Sequence, residues 1–236
     1  MHLPWLLTYL EHMTVVWHRI EQLAKAIEDK FNATGTPIDG TLHDQYDWQN
    51  TLWTSNRYRR AHIEIVDKRE SHKLYILHCT IFPHYNDPSP IWGFDAVCGA
   101  NKITGAFHDY SSGGDSTHPM MKWFEEHTKK YGWNKPRNLP EWARSIFSSS
   151  MVAAGNVQEG QELDDLCQLC LETLDHYLDN VGKTQQDVSD FHQAQNRYCY
   201  YQKQNPHVVN SMVAMGVAEH TIKQFVSEVL FPEEVF

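Results

Sequence analysis

At 236 residues, 41% hydrophobic and 12% aromatic, the sequence is long and apolar enough for one domain with a sizeable core. Its 30 acidic against 20 basic side chains give a net charge of -10, which argues against a general nucleic-acid binder, whose affinity rests on neutralising phosphates. No apolar run reaches membrane-spanning length, no secretory leader is read, and five cysteines without framework spacing point to reduced thiols in a cytosolic setting.

Apolar residues Leu6, Leu10, Met13, Val16, Ile20, Leu23 and Ile27 recur every three or four positions, the stripe of an amphipathic helix over 6–31. Residues 32–47, with Gly35, Pro37 and Gly40, read as irregular, and 48–55 as a first strand. Three pieces dominate the next fifty residues: Ala61-His62-Ile63-Glu64-Ile65, Ile76-Leu77-His78-Cys79-Thr80 and Trp92-Gly93-Phe94-Asp95-Ala96-Val97. Each is rich in β-branched or aromatic residues and bounded by turn formers, so each predicts a strand. Loops fall at 67–72 and 84–90, a further strand covers 102–110, and connections this short make neighbouring strands antiparallel. Beyond Ser111-Ser112-Gly113-Gly114-Asp115 the pattern turns helical, with a start near Ser116-Thr117-His118-Pro119 and a short helix over 139–147. A longer helix runs through Leu163, Leu166, Cys170, Leu174 and Tyr177 to a stop at Gly182, and 184–204 and 208–230 give two more. Helices at both ends of a central antiparallel β-sheet predict an α/β fold with helices stacked on the sheet in layers, as a single domain over 1–236.

Alternation along a strand puts His62 and Glu64 on one face and Ile63 and Ile65 on the other. By the same count His78 shares a face with Ile76 and Thr80, and Asp95 with Ile91 and Val97. Any one of these four titratable groups could lie on a solvated face. Four together in strands this apolar point to a shared site, because burying a polar group without a partner is costly and burying a charge more so.

Other patterns carry less. Cys167-Gln168-Leu169-Cys170 has redox or zinc spacing, but it sits in a helical apolar stripe without a second pair and reads as two core cysteines. His62, Glu64 and His78 are metal-ligand types, yet no known ligand spacing or further cluster accompanies them, so no metal is expected. The sequence has no glycine-rich phosphate loop and no Gly-x-Ser-x-Gly turn, and Gly105-Ala106-Phe107-His108-Asp109 is no such signature. Buried proton carriers, many aromatics and no cofactor loop suit electron transfer to a conjugated substrate followed by protonation, since a histidine beside a carboxylate can be poised near the working pH. The residues alone leave that as one option among several.

The blocks Tyr58-Arg59-Arg60-Ala61-His62-Ile63-Glu64-Ile65, Leu74-Tyr75-Ile76-Leu77-His78-Cys79-Thr80-Ile81-Phe82-Pro83 and Gly93-Phe94-Asp95-Ala96-Val97-Cys98-Gly99 resemble consecutive stretches of the ferredoxin-dependent bilin reductases. Arg137-Asn138-Leu139-Pro140-Glu141-Trp142, Tyr198-Cys199 with Gln202 and Asn205, and Val229-Leu230-Phe231 extend the resemblance, in family order, over 58–231. The amino-terminal helix matches in character only. The resemblance implies a three-layer α/β/α sandwich, a central antiparallel β-sheet flanked by helices, holding biliverdin IXα between the sheet and the carboxyl-side helices, with no metal or flavin of the enzyme's own. Reduced [2Fe-2S] ferredoxin would be the external donor, delivering single electrons through substrate radicals. Asp95 falls on the residue that exchanges a proton with the bilin, His78 on its partner, Glu64 on the acid associated with D-ring vinyl reduction, and His62 on the adjoining relay. Thr104 and Arg137 fall where propionates are held, a task suited to the forked donors of arginine, and Tyr198, Gln202 and Asn205 where a late helix lines the pocket.

Glu64 favours phycocyanobilin as the product. Pro206, however, stands where the family commonly has an aspartate and can carry no proton, and His207 replaces a neighbouring basic position. Phycoerythrobilin by four-electron reduction, or bilin binding without chemistry, therefore stay open, and a metal-dependent hydrolase is the most distant alternative. An acidic ferredoxin needs a local basic face on so acidic a chain, and Arg57, Arg59, Arg60, Lys129, Lys130 and Lys135 are the candidates. The expectation is completed by a monomer in the cytoplasm, or in a plastid stroma, with no nucleic-acid or membrane partner.

Overall fold

The computed structural model describes residues 14–39, 46–187 and 190–234. Helix α1 (Val15–Thr34) starts where the Thr14 hydroxyl accepts the Trp17 N–H at 3.3 Å, satisfying one of the donors that a helix start leaves unpaired. Its buried stripe, Val16, Trp17, Ile20, Leu23, Ala24, Ile27 and Phe31, keeps the helical period the sequence shows. Leu6, Leu10 and Met13 of that expected stripe lie outside the described residues.

Strands β1 (Thr36–Pro37), β2 (Gln49–Thr54), β3 (Tyr58–Lys68), β4 (Leu74–Pro83), β5 (Ile91–Cys98), β6 (Lys102–Ser111) and β7 (Val152–Ala154) lie side by side in chain order. Every pairing is antiparallel, and β8 (Val157–Gln158) adds to β6. A single helical turn, α2 (Arg69–His72), joins β3 to β4 where a loop is expected from the sequence. Three strands, β1, β7 and β8, escape the sequence reading, β1 within the stretch expected to be irregular, because two or three residues are too few to show a period of two.

The helical half comprises α3 (Pro119–Thr128), α4 (Glu141–Arg144), α5 (Gln161–Asn180), α6 (His192–Gln202), α7 (Pro206–Ala214) and α8 (Glu219–Gln224), the last running on into a π-helical turn, Phe225–Leu230. The helix expected from 184 begins only at His192, because the preceding chain is tied to the β4–β5 loop. There Thr184 Oγ1 and the Gly182 N–H each donate to Asp87 at 2.7 Å, and the Gln186 N–H donates to the Asn86 carbonyl at 2.8 Å. The helix expected over 208–230 is likewise divided, at Gly216, whose φ of 80° belongs to the left-handed region.

The sheet separates two apolar cores. On one side α1, α3 and α5 pack against Ile63, Leu77, Cys79, Phe94 and their neighbours. On the other, Phe82 and Ile91 meet Tyr198, Met212, Phe225 and Phe231 of the later helices. Helix layers on both faces of an antiparallel sheet make this the three-layer sandwich expected from the sequence.

Candidate active site

Register does what strand alternation alone could not: it lines the titratable groups up. Glu64 on β3 pairs with His78 on β4, His78 pairs with Asp95 on β5, and Asp95 pairs with Phe107 on β6, so the four form one row across the sheet. The next row on the same face reads His62, Thr80, Gly93 and Asp109. Residues directly opposite in such a row have Cβ atoms about 5 Å apart, close enough to share protons directly or through one intervening group.

This face opens into a cleft of about 640 Å³, within the range of about 300–1,000 Å³ usual for small-molecule sites. His78, Asp95, Thr104, Arg137, Tyr198, Gln202 and Asn205 all line it. Glu64 and His62 share the face but not the lining: both are buried behind His78, under a second apolar cluster that includes Trp48, Phe225 and Phe231. The sequence places four groups in one site; the structure divides them into two that touch the cleft and two that stand behind it.

Burial dominates the electrostatics. It pushes the Asp95 carboxyl up to about 7. Glu64 is pushed up to about 8 by burial and then by the Asp95 charge, with the Trp48 indole partly offsetting both. His78 is driven down to about 4, first by burial and then by the Arg60 guanidinium, so at neutral pH it is an uncharged imidazole. Its Nδ1 and the Thr80 hydroxyl are buried without a hydrogen-bond partner among the described residues. Behind them His62 Nε2 lies 3.1 Å from Asn50 Oδ1, and the His62 and His78 rings meet edge-on at 6.1 Å.

The walls come from distant parts of the chain. Backbone pairing with β7 holds Arg137, whose N–H donates to the Ala153 carbonyl at 2.8 Å, and its guanidinium lies 5.8 Å from the centre of the Phe107 ring. Gly105 makes room for it: a Cβ there would lie 2.8 Å from Arg137 Nη1. On α6, Gln202 donates to the Tyr198 hydroxyl at 2.8 Å, above the gap that Gly93 leaves in the sheet. Asn205 caps α7, its side-chain oxygen accepting the His207 N–H at 3.0 Å, and Pro206 takes the first helical position. That position has no carbonyl partner for an N–H, which gives proline a structural fit at the cleft wall. Phe231 closes the inner end, edge-on to His78 at 5.8 Å. The segment that carries it is clamped: Arg60 donates to the Val229 carbonyl, Lys203 reaches Glu233 at 2.7 Å, and the Asn196 amide exchanges hydrogen bonds of 2.7 and 3.1 Å with the Glu234 backbone.

Sequence reasoning passes over Asp109, Phe107, Phe147, Met151 and Phe231 as cleft residues. Asp109 carries the one usable signal, a carboxylate on the Asp95 face of the adjacent strand. In the basic cluster at 57–60 each arginine has partners within the fold. Arg57 donates to the Val181 and Asp179 carbonyls, and Arg59 donates to Gln195 while lying over the Phe82 and Tyr85 rings. With Arg60 on Val229, Arg59 and Arg60 are engaged inside the fold because they sit on a strand under the late helices, whereas Arg57 lies half-exposed in the turn before it, against the end of α5. Lys129, Lys130 and Lys135 remain exposed.

Among the described residues no group of three or more histidine, cysteine, aspartate or glutamate side chains is placed to hold a metal ion, and no helix is long and apolar enough to cross a membrane. The chain matches the family model of ferredoxin-dependent bilin reductases over residues 11–232. It is 28% identical over 197 residues to the phycocyanobilin:ferredoxin oxidoreductase of Synechococcus sp. (strain CC9902), covering 80% of this chain and 77% of that protein. The solved structure of PcyX is similar with a TM-score of 0.69 and 26% identity, covering 92% of this chain and 99% of the other. At 14% identity, tomato phytochromobilin synthase, solved in complex with biliverdin, shares the fold with a TM-score of 0.71, over 89% of this chain and 82% of its own.

Proposed function

The chain belongs to the ferredoxin-dependent bilin reductases, and from that premise we propose that it reduces biliverdin IXα to a phycobilin, with phycocyanobilin the favoured product. The observation that carries this reading is the row of Glu64, His78 and Asp95 running from behind the cleft into it. Reducing one carbon–carbon double bond takes two electrons and two protons. Ferredoxin supplies electrons singly, so the bilin passes through radicals, and the protein must place a proton as each charge arrives.

The row suits that task. Asp95, poised at about 7, both holds and releases a proton near neutrality, at the cleft surface. Neutral His78 has one buried nitrogen free of partners among the described residues and stands between Asp95 and Glu64. Glu64, at about 8, is a stored proton at pH 7, and His62 adjoins the store. Arg137 and Thr104, both exposed at the mouth, are placed to meet the propionates of a bilin lying flat over Phe107. Tyr198, Gln202 and Asn205 would form the opposite wall. With Arg59 and Arg60 turned inward, ferredoxin docking rests chiefly on Lys129, Lys130 and Lys135. Pro206, which brings no proton to the cleft, keeps phycoerythrobilin as the second reading.

An anaerobic assay with biliverdin and reduced ferredoxin, its products separated by chromatography, tests the proposal. Conversion to phycocyanobilin is expected from the wild type, and a shift in which positions are reduced from Glu64→Gln. Bound biliverdin whose spectrum ignores reduced ferredoxin would instead make the protein a carrier.

A further inference from the structure

Asp109 takes no part in the proton row of Glu64, His78 and Asp95, yet it is a carboxylate only 2% exposed that lines the cleft one row from Asp95. Its oxygens are turned toward one partner in particular. The Ser148 N–H donates to Oδ2 at 2.9 Å and the Ser148 hydroxyl donates to Oδ1, while the Ser111 hydroxyl donates to Oδ2 at 2.7 Å. Ser148 lies in the irregular stretch 145–151 that succeeds α4, and its own oxygen accepts the Ser150 N–H at 3.2 Å. This stretch supplies Phe147 and Met151 to the cleft, and Phe147 stands edge-on to Tyr198 at 6.2 Å. A segment with no ladder or helix of its own needs fixed partners to act as a wall, and a buried carboxylate accepting two bonds from one residue is a strong one.

We propose that Asp109 is a positioning residue: by gripping Ser148 it fixes the 145–151 wall against the sheet and so sets how tightly the cleft holds its bilin. The identity of the ligand rests on the proposed bilin reduction; the fixing of the wall does not. Asp109→Asn replaces one acceptor oxygen by an amide that cannot accept, so at least one of the serine donors loses its partner.

Two measurements on the full chain separate these parts. Without ligand, amide hydrogen exchange at 148–151 is expected to quicken by about tenfold in Asp109→Asn, the scale of one charge-assisted hydrogen bond. With biliverdin followed by absorbance and turnover driven by reduced ferredoxin, Kd and KM are expected to rise by about tenfold while kcat moves far less and the pH profile keeps its shape. Ser148→Ala should move the same quantities, and the double variant should be no worse than the more severe single one, since both act through one contact. Unchanged exchange in Asp109→Asn overturns the proposal. So does a lower melting temperature with KM unaltered, or a collapse of kcat with one limb of the pH profile lost, which would make Asp109 a proton donor in its own right. A wild-type chain that leaves the biliverdin spectrum untouched would remove the bilin reading, and the exchange result would still decide the wall.

Discussion

The two faces of β4 are built from alternate residues of one ten-residue strand, yet they obey opposite rules. Tyr75, Leu77, Cys79 and Ile81 point into the core beneath α1 and α5, each at most 2% exposed. Ile76, His78, Thr80 and Phe82 face the cleft side, and there an imidazole nitrogen and a hydroxyl are buried without partners among the described residues. One face is closed and satisfied; the other keeps unmet hydrogen-bonding capacity and carboxyls poised near neutrality. A buried polar group left unpaired costs stability, so the first face must make good what the second gives up.

Substitutions that act on one face alone test this division. Leu77→Ala, on the closed face, should cost about 2–5 kcal/mol by leaving a cavity, with the activity per folded molecule preserved; denaturant melts beside a specific-activity assay check both. Asp95→Asn should do the reverse, lowering kcat by about a hundredfold or more with little loss of stability, and wild-type turnover from it would end its assigned role. Glu64→Gln sharpens the contrast through pH. The folded carboxyl holds its proton up to about 8 against an ordinary 4.5, so between those values the native state binds more protons than the unfolded state. Wild-type stability therefore falls as pH rises through that window, whereas the amide has nothing to ionise. The melting temperature of the variant should overtake that of the wild type progressively toward pH 8; a constant difference would show that Glu64 does not titrate there. The smallest effect is expected from Gly105→Ala, whose new Cβ displaces Arg137 and should weaken bilin binding on the order of threefold, below 1 kcal/mol, by absorbance titration.

Much of this is legible in the sequence alone. Alternation puts His62 and Glu64 on one face and places His78 and Asp95 by the same rule, and the apolar stripes of α1 and α5 identify the packing helices. Register was not legible: that Glu64, His78 and Asp95 stand opposite one another depends on turn lengths and on pairings between strands. The covering of Glu64 and His62 is hidden for a related reason, since Trp48 and Phe231 come from distant parts of the chain. Arg59 and Arg60 look like a surface patch because charge is visible in a sequence while the carbonyl and rings that receive it are not. Asp109 offers no local cluster to read, since its neighbour His108 points to the other face, where it lies 2.7 Å from the Thr173 hydroxyl.

The clamp on residues 229–234 has a temporal meaning. β3 to β6 can pair and bury their closed face as soon as α5 has been made, but Phe231, which seals the inner end of the cleft, is added dozens of residues later. During synthesis the trough beside His78 thus stands unroofed until Arg60 and Asn196 catch the last turn of helix and the segment beyond it. Until residues 229–234 are in place, the molecule owns the acids without the enclosure.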